Sequence, residues 1–409
     1  MSTTLERLLP IRRRLATARS AERAVAIPWY LYAVAIASTL VNVGIIWDIS
    51  WHMTIGRDSF WTPAHLCTYL SALIVGVTCG YVALRTTFAG TAQERERSVS
   101  LWGFRAPLGA WICVWGSFAM LTSAPFDNWW HDAYGLDVQI ISPPHTLLAL
   151  GMISIVIGAL VWTLAWQNRG TELANDPEAR HRLHQLFAFA AGLLISMFAI
   201  YVTEYSYRGY QHGSQFYRVS AMAFPVVLVA LSRASNMRWS ATWAALCYMG
   251  VRIAMGWILP LFPATAKLGP IFNPMTHMAA MEFPLLLIGP AIVIDLLSRR
   301  LGKDASPGRD WITAPLFGLA FVVALLVVQW PFADFLHSPL ARNWFFFSDR
   351  NFTYNMRPQS LYMTYKYFIR SADPSAGAFA IGMLVAVVYA SISARVGLAW
   401  GRWMSKVQR

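Results

Sequence analysis

The chain has 409 residues, of which 56% are hydrophobic and 13% charged, with a mean hydropathy of +0.44. Soluble domains carry about 25% charged residues, so the composition excludes a soluble globular enzyme and indicates an integral membrane protein. The net charge of +13 does not point to nucleic acid, because the basic residues gather in an N-terminal arm and in alternate connections.

The arm comes first. It carries Arg12, Arg13, Arg14, Arg19 and Arg23 and stays polar to about residue 26, which predicts no cleavable signal peptide and a first helix that acts as an uncleaved anchor. Apolar runs of the roughly 20 residues needed to cross a bilayer then follow near 28–47, 63–84, 106–124, 144–166, 185–203, 218–232, 240–262, 275–297, 312–331 and 376–400. The expected fold is therefore all-α, a polytopic membrane helix bundle of about ten transmembrane helices. It divides into a cytoplasmic basic arm (1–26) and a single transmembrane domain (27–409).

Further basic clusters stand at Arg95, Arg97 and Arg105, at Arg180 and Arg182, at Arg233 and Arg238, at Arg299, Arg300 and Lys303, and at Arg402, Lys406 and Arg409. Placing both termini in the cytoplasm puts these inside, as the positive-inside rule expects for a protein of the inner, cytoplasmic membrane. The connection 332–375 is the outward exception. It is rich in aromatic residues and reads as a folded cap or docking surface. Cys67, Cys79, Cys113 and Cys247 stand singly in apolar segments without CxxC spacing, and read as small buried hydrophobes.

The informative stretch is "WDISWHMTIGRDSFWTPAHL" at 47–66, which aligns with "FDNWWHDAYGLDVQIISPPHTL" at 126–147. Asp48 matches Asp127, Trp51 matches Trp130, His52 matches His131, Gly56 matches Gly135 and Asp58 matches Asp137. After one extra residue in the second copy, Pro63 matches Pro143 and His65 matches His145. Each copy runs from the outer end of an odd-numbered helix into the next helix, so 27–166 reads as a tandem repeat of helix hairpins, helices 1–2 and 3–4. The remaining helices occupy 185–400.

Asp48 and His52 are four apart and share one helix face. An antiparallel hairpin brings His65 back to the same depth, and Asp127, His131 and His145 repeat the arrangement. Two imidazoles and a carboxylate leave open positions on a bound ion, and copper, iron and zinc all suit the donors. Ionisable groups beside a bilayer are costly and functional by default. A lone interfacial Asp or His is more often a cap or belt residue than a ligand; the repetition of the whole triple favours metal. Asp58 and Asp137 read as caps or as hydrogen-bond partners of ligand imidazoles, and Thr62 and Ser142 as the caps of helices 2 and 4. Trp47, Trp51, Phe60, Trp61, Trp129 and Trp130 fit either a pocket lining or interface anchors.

At these residues the sequence resembles the copper-dependent membrane monooxygenases, the particulate methane and ammonia monooxygenases, in one of their membrane-embedded subunits. There an Asp-x3-His-x12-His run with "WH", "RD" and "TP" supplies a copper site, and here that run is Asp48, His52 and His65. A second family site in the same polypeptide has the form Asn-x3-His-x13-His, matched by Asp127, His131 and His145, with Asp in place of Asn and Asn128 beside it. The resemblance covers helices 1–4, somewhat over a third of the chain. It implies copper, O2 activation at one of the two triads, and insertion of one oxygen atom into a small apolar substrate such as a hydrocarbon or ammonia arriving through the lipid bilayer. It also implies partners, either other monooxygenase subunits or further copies of this chain. The readings beside it are a copper transport or storage protein and a structural membrane subunit with vestigial sites.

Three other outer connections carry candidates: Glu204, Arg208 and His212 in 201–218, which read as a degenerate third copy, an ion-pair network or support for the metal sites; His277 with Glu282 in 273–283, a further supporting candidate; and His337 with Asp334 at the outer end of helix 9, a minor ligand candidate. Met275, Met278 and Met281 read as core packing. No phosphate loop, nucleophile elbow or HExxH motif appears, which excludes the hydrolases these mark.

Overall fold

The computed structural model describes residues 26–135, 142–169, 176–302, 306–348, 351–357 and 360–409. The expectations for 1–25 and for Asp137 lie outside these. The main helices are α1 (Trp29–Thr54), α2 (Pro63–Ala89), α3 (Leu108–Tyr134), α4 (Pro143–Gln167) and α5 (Pro177–Tyr201), followed by α6 (Ser214–Ala234), α7 (Ser240–Ile258), α8 (Ile288–Leu301), α9 (Pro307–His337) and α10 (Ala376–Met404). Among the described residues nine of the ten are long and apolar enough to span a membrane, all but α8. Large apolar side chains stand exposed along them, such as Ile381, Leu384, Val388, Ile392 and Val396 on α10, an arrangement that suits lipid rather than water. The protein is an all-α polytopic membrane bundle. The one sheet among the described residues is a small hairpin pairing 99–101 with 104–106.

Helices α1 to α4 form a ring in which α1 touches α2 and α4, and α3 touches α2 and α4. Small residues set the spacing. A side chain on Gly116 would meet the Gly151 carbonyl and the Ile155 backbone, and one on Gly151 would meet the Gly116 carbonyl. Such close approach of backbones through small residues is how helices associate without a hydrophobic driving force between them. The remaining helices pack beyond α4 and α5, with α6 against α10 and α9 against both α8 and α10.

One predicted span is built differently. An apolar run over 275–297 predicts a helix, yet helix begins only at Ile288, and 278–285 are buried without regular structure. Pro274 and Pro284 deny helical hydrogen bonds to this stretch, and side chains satisfy its backbone instead. Thr54 Oγ1 accepts from the Ala279 N–H at 2.8 Å, while Ser50 Oγ donates to the Ala279 carbonyl at 2.5 Å. Tyr248 Oη accepts from the Leu285 N–H at 3.1 Å and Gln329 Oε1 from the Leu286 N–H at 2.8 Å. Non-helical backbone is tolerated inside a membrane protein under this condition, that it is enclosed by protein and hydrogen-bonded.

Candidate metal centre

The helix ends shape the site. Helix α1 ends at Thr54, and Gly56 takes the positive φ of 82° that turns the chain back toward α2; Gly135 does the same after α3, with φ 86°. These values suit glycine, which lacks the Cβ that crowds this region. Pro63 and Pro143 open α2 and α4, and Ser142 Oγ accepts from the His145 N–H at 3.3 Å as expected of a cap. Thr62 departs from the expectation. Its hydroxyl accepts from the Ser59 N–H at 2.8 Å, so it ties the turn together rather than capping the helix.

In the first hairpin His65 Nε2 lies 3.0 Å from Asp48 Oδ1, and His52 Nε2 lies 3.8 Å from Asp48 Oδ2. In the second, His145 Nε2 is 3.4 Å from Asp127 Oδ1 and His131 Nε2 is 3.4 Å from Asp127 Oδ2. Within each triple the donor atoms all fall within 4.8 Å of one another. Nitrogen and oxygen ligands about 2.0–2.2 Å from a metal ion stand roughly 3 to 4 Å apart, so both triples have a ligand-like spacing.

The hydrogen bonds around the rings sharpen the fit. A carbonyl only accepts, so His65 Nδ1, 2.9 Å from the Ser59 carbonyl, carries a proton and donates it. His131 Nδ1 donates in the same way to the Gly135 carbonyl at 3.2 Å. In a neutral ring Nε2 then presents a lone pair to the carboxylate. Asp48 Oδ1 and Asp127 Oδ1 are buried and accept no hydrogen bond among the described residues, although an imidazole nitrogen faces each. A cation shared by the nitrogen and the oxygen would satisfy both, and carbonyl-oriented imidazoles such as His65 and His131 are the usual support of metal ligands.

Asp58 is closer than a supporting role requires. Its Oδ2 lies 3.4 Å from His52 Nε2 and 3.6 Å from His65 Nε2, so the first cluster has two carboxylates and two imidazoles. The His52 ring beside it holds the Asp58 carboxyl below the usual carboxylate range. The aromatics divide. Trp61, Trp129 and Phe60 are exposed, as interface anchors are, whereas Trp47 and Trp51 pack on the core.

The other candidates lie in different networks. Glu204 pairs with Lys366 at 3.3 Å, His212 Nε2 meets Asp334 Oδ1 at 3.0 Å, and His277 Nδ1 meets its neighbour Thr276 Oγ1. His337 Nε2 donates to the Arg208 carbonyl at 3.2 Å. A second polar centre, not anticipated as a unit, is built around Glu282. It receives Arg208 at 3.3 Å and Asn351 Nδ2 at 2.8 Å, and the buried Arg252 donates to the Met281 sulfur at 3.0 Å. The sequence signal for it was Arg252, a charge in the middle of an apolar run. Cys67, Cys79, Cys113 and Cys247 are free thiols, buried or partly so. Compared with known proteins, the chain matches no family model, no curated protein and no solved structure.

Proposed function

We propose that the two Asp/His/His clusters hold copper and that the chain is a membrane copper monooxygenase, or one polypeptide of a larger one, acting on a small apolar substrate such as a hydrocarbon or ammonia. The metal reading is supported by one observation made twice, an imidazole nitrogen set against a buried carboxylate oxygen that accepts no hydrogen bond among the described residues. Copper and oxygen chemistry are selected by the resemblance of the two motifs to those of the copper-dependent membrane monooxygenases. Bound copper supplies the redox couple for O2 reduction.

The chain's residues do the rest. Ser59 and Gly135 fix the ring tautomers of His65 and His131. Asp48, Asp58 and Asp127 offset the charge of the ion. Trp61 and Trp129 hold this end of the bundle at the bilayer interface, where an apolar substrate partitions. With the arm in the cytoplasm, both clusters face outward.

A copper transport reading has its own support in the irregular segment 278–285, since interrupted helices line ion paths in transporters. One experiment separates the two. Copper-loaded protein in liposomes is given a lipid-soluble reductant, O2 and propene, and both product and copper uptake are followed. Oxygenated product lost in His52→Ala and His131→Ala supports the oxygenase; copper uptake without product replaces it with transport.

A further inference from the structure

The connection between α9 and α10, with the end of α9 and Arg208, lines an open cavity of about 370 Å³. Arg208, Arg342, Arg370 and His337 line it together with Tyr367 and Phe352, and no carboxylate lines it among the described residues. Charge around it is unbalanced. Arg208 and Arg252 are both buried, with Glu282 as the carboxylate between them. Arg370 pairs with Asp334 at 2.8 Å, but Asp334 is also engaged by His212. Lys366 has Glu204. The exposed Arg342 makes no side-chain ion pair or hydrogen bond among the described residues. Among the described residues, then, Arg342 stands without a counter-charge and Arg370 shares its carboxylate with His212, and both line the cavity. Guanidinium groups gathered around one space repel each other, and an anionic occupant relieves that repulsion.

We propose that this cavity binds a phosphate-class oxyanion. Guanidinium groups match phosphate oxygens through paired N–H donors. Here the buried Arg208, held in place by Glu282, lines the space together with Arg342 and Arg370. The rings of Phe352 and Tyr367 give an esterified phosphate an apolar wall. The same chemistry is offered by inorganic phosphate and by the headgroup of an anionic phospholipid, and a cavity at the end of a membrane bundle is open to both. The inference is independent of the metal clusters, because none of their ligands lines the cavity.

The test uses the full-length protein, stripped of lipid in a neutral detergent. Thermal unfolding is measured against inorganic phosphate, with chloride at equal ionic strength as reference, and separately against phosphatidylglycerol and phosphatidylcholine in mixed micelles. Variants are Arg342→Gln, whose side chain makes no bond among the described residues, the double variant Arg342→Gln/Arg370→Gln, and Arg309→Gln as an exposed control at the start of α9. Ligand that binds the folded state raises the midpoint saturably. The proposal expects about tenfold weaker binding for loss of Arg342, more for the double variant, and none for the control. A response to phosphate identifies a free oxyanion, and a response to phosphatidylglycerol alone identifies a lipid headgroup. No response beyond chloride and phosphatidylcholine, or equal responses in wild type and double variant, overturns it.

Discussion

His65 Nε2 faces Asp48 Oδ1 across 3.0 Å while the other nitrogen of the same ring donates to the Ser59 carbonyl. Two acceptors at that distance repel unless a cation joins them. A bound metal or a second ring proton meets the requirement, and the two differ in what a chelator does. Metal saturated at about a thousand times its dissociation constant stabilises the fold by roughly 4 kcal/mol. Treatment with a membrane-permeant chelator is expected to lower the unfolding midpoint by several degrees, and copper to restore it; differential scanning calorimetry checks both.

Asp58 distinguishes the two clusters, lying 3.4 Å from His52. Replacing it with Asn keeps the shape and removes the charge. The expected result is metal affinity at the first cluster reduced about 10- to 100-fold, with the second unchanged, measured by competitive titration with a chromogenic chelator.

Gly56 sits where its φ of 82° suits glycine and where a side chain would strike the ring of Tyr354. Residue 354 also donates its backbone N–H to the Met53 carbonyl at 3.0 Å, so the connection between α9 and α10 is laced to the first cluster's turn. Gly56→Ala is predicted to cost about 1–3 kcal/mol and to loosen metal at the first cluster more than at the second. Denaturant unfolding and metal content of the purified variant measure the two effects.

Glu282 and Arg208 are both buried, and removing one leaves the other without its charge partner. Glu282→Gln is expected to destabilise the protein by about 3–5 kcal/mol, the usual cost of a broken buried pair. Adding Arg208→Met should recover part of that loss. A double-mutant cycle on thermal stability checks the coupling.

Burial holds the His212 imidazole below the ordinary histidine range, more strongly than Asp334 raises it. The folded protein therefore favours the neutral ring. As pH falls through about 6.5 the unfolded chain takes up a proton that the folded one refuses, and stability declines until the lower folded value is passed. His212→Gln is predicted to flatten this part of the curve of unfolding midpoint against pH between 7 and 5.

The all-α membrane architecture was legible because apolar runs of bilayer length are unambiguous, and nine of the ten expected spans are long helices among the described residues. The eighth departs from its hydropathy for a physical reason. Hydropathy records burial, and residues 278–285 are buried, but the hydrogen bonds that let them stay irregular come from Thr54, Tyr248 and Gln329, distant in sequence. The convergence of Asp48, His52 and His65 followed from helical spacing and a hairpin. The approach of Asp58 did not, because it depends on the path of the turn at Gly56 rather than on a period. The network joining Arg208, Glu282 and Asn351 brings together three separate connections, and no local pattern encodes it.

The most direct test of the central claim is the copper content of the protein purified in its native lipids, determined by elemental analysis for wild type, His65→Ala, His145→Ala and the double variant. Two copper sites predict that each single variant loses the metal of its own cluster and that the double variant retains none. Wild type without copper, or variants that hold as much as wild type, would contradict it.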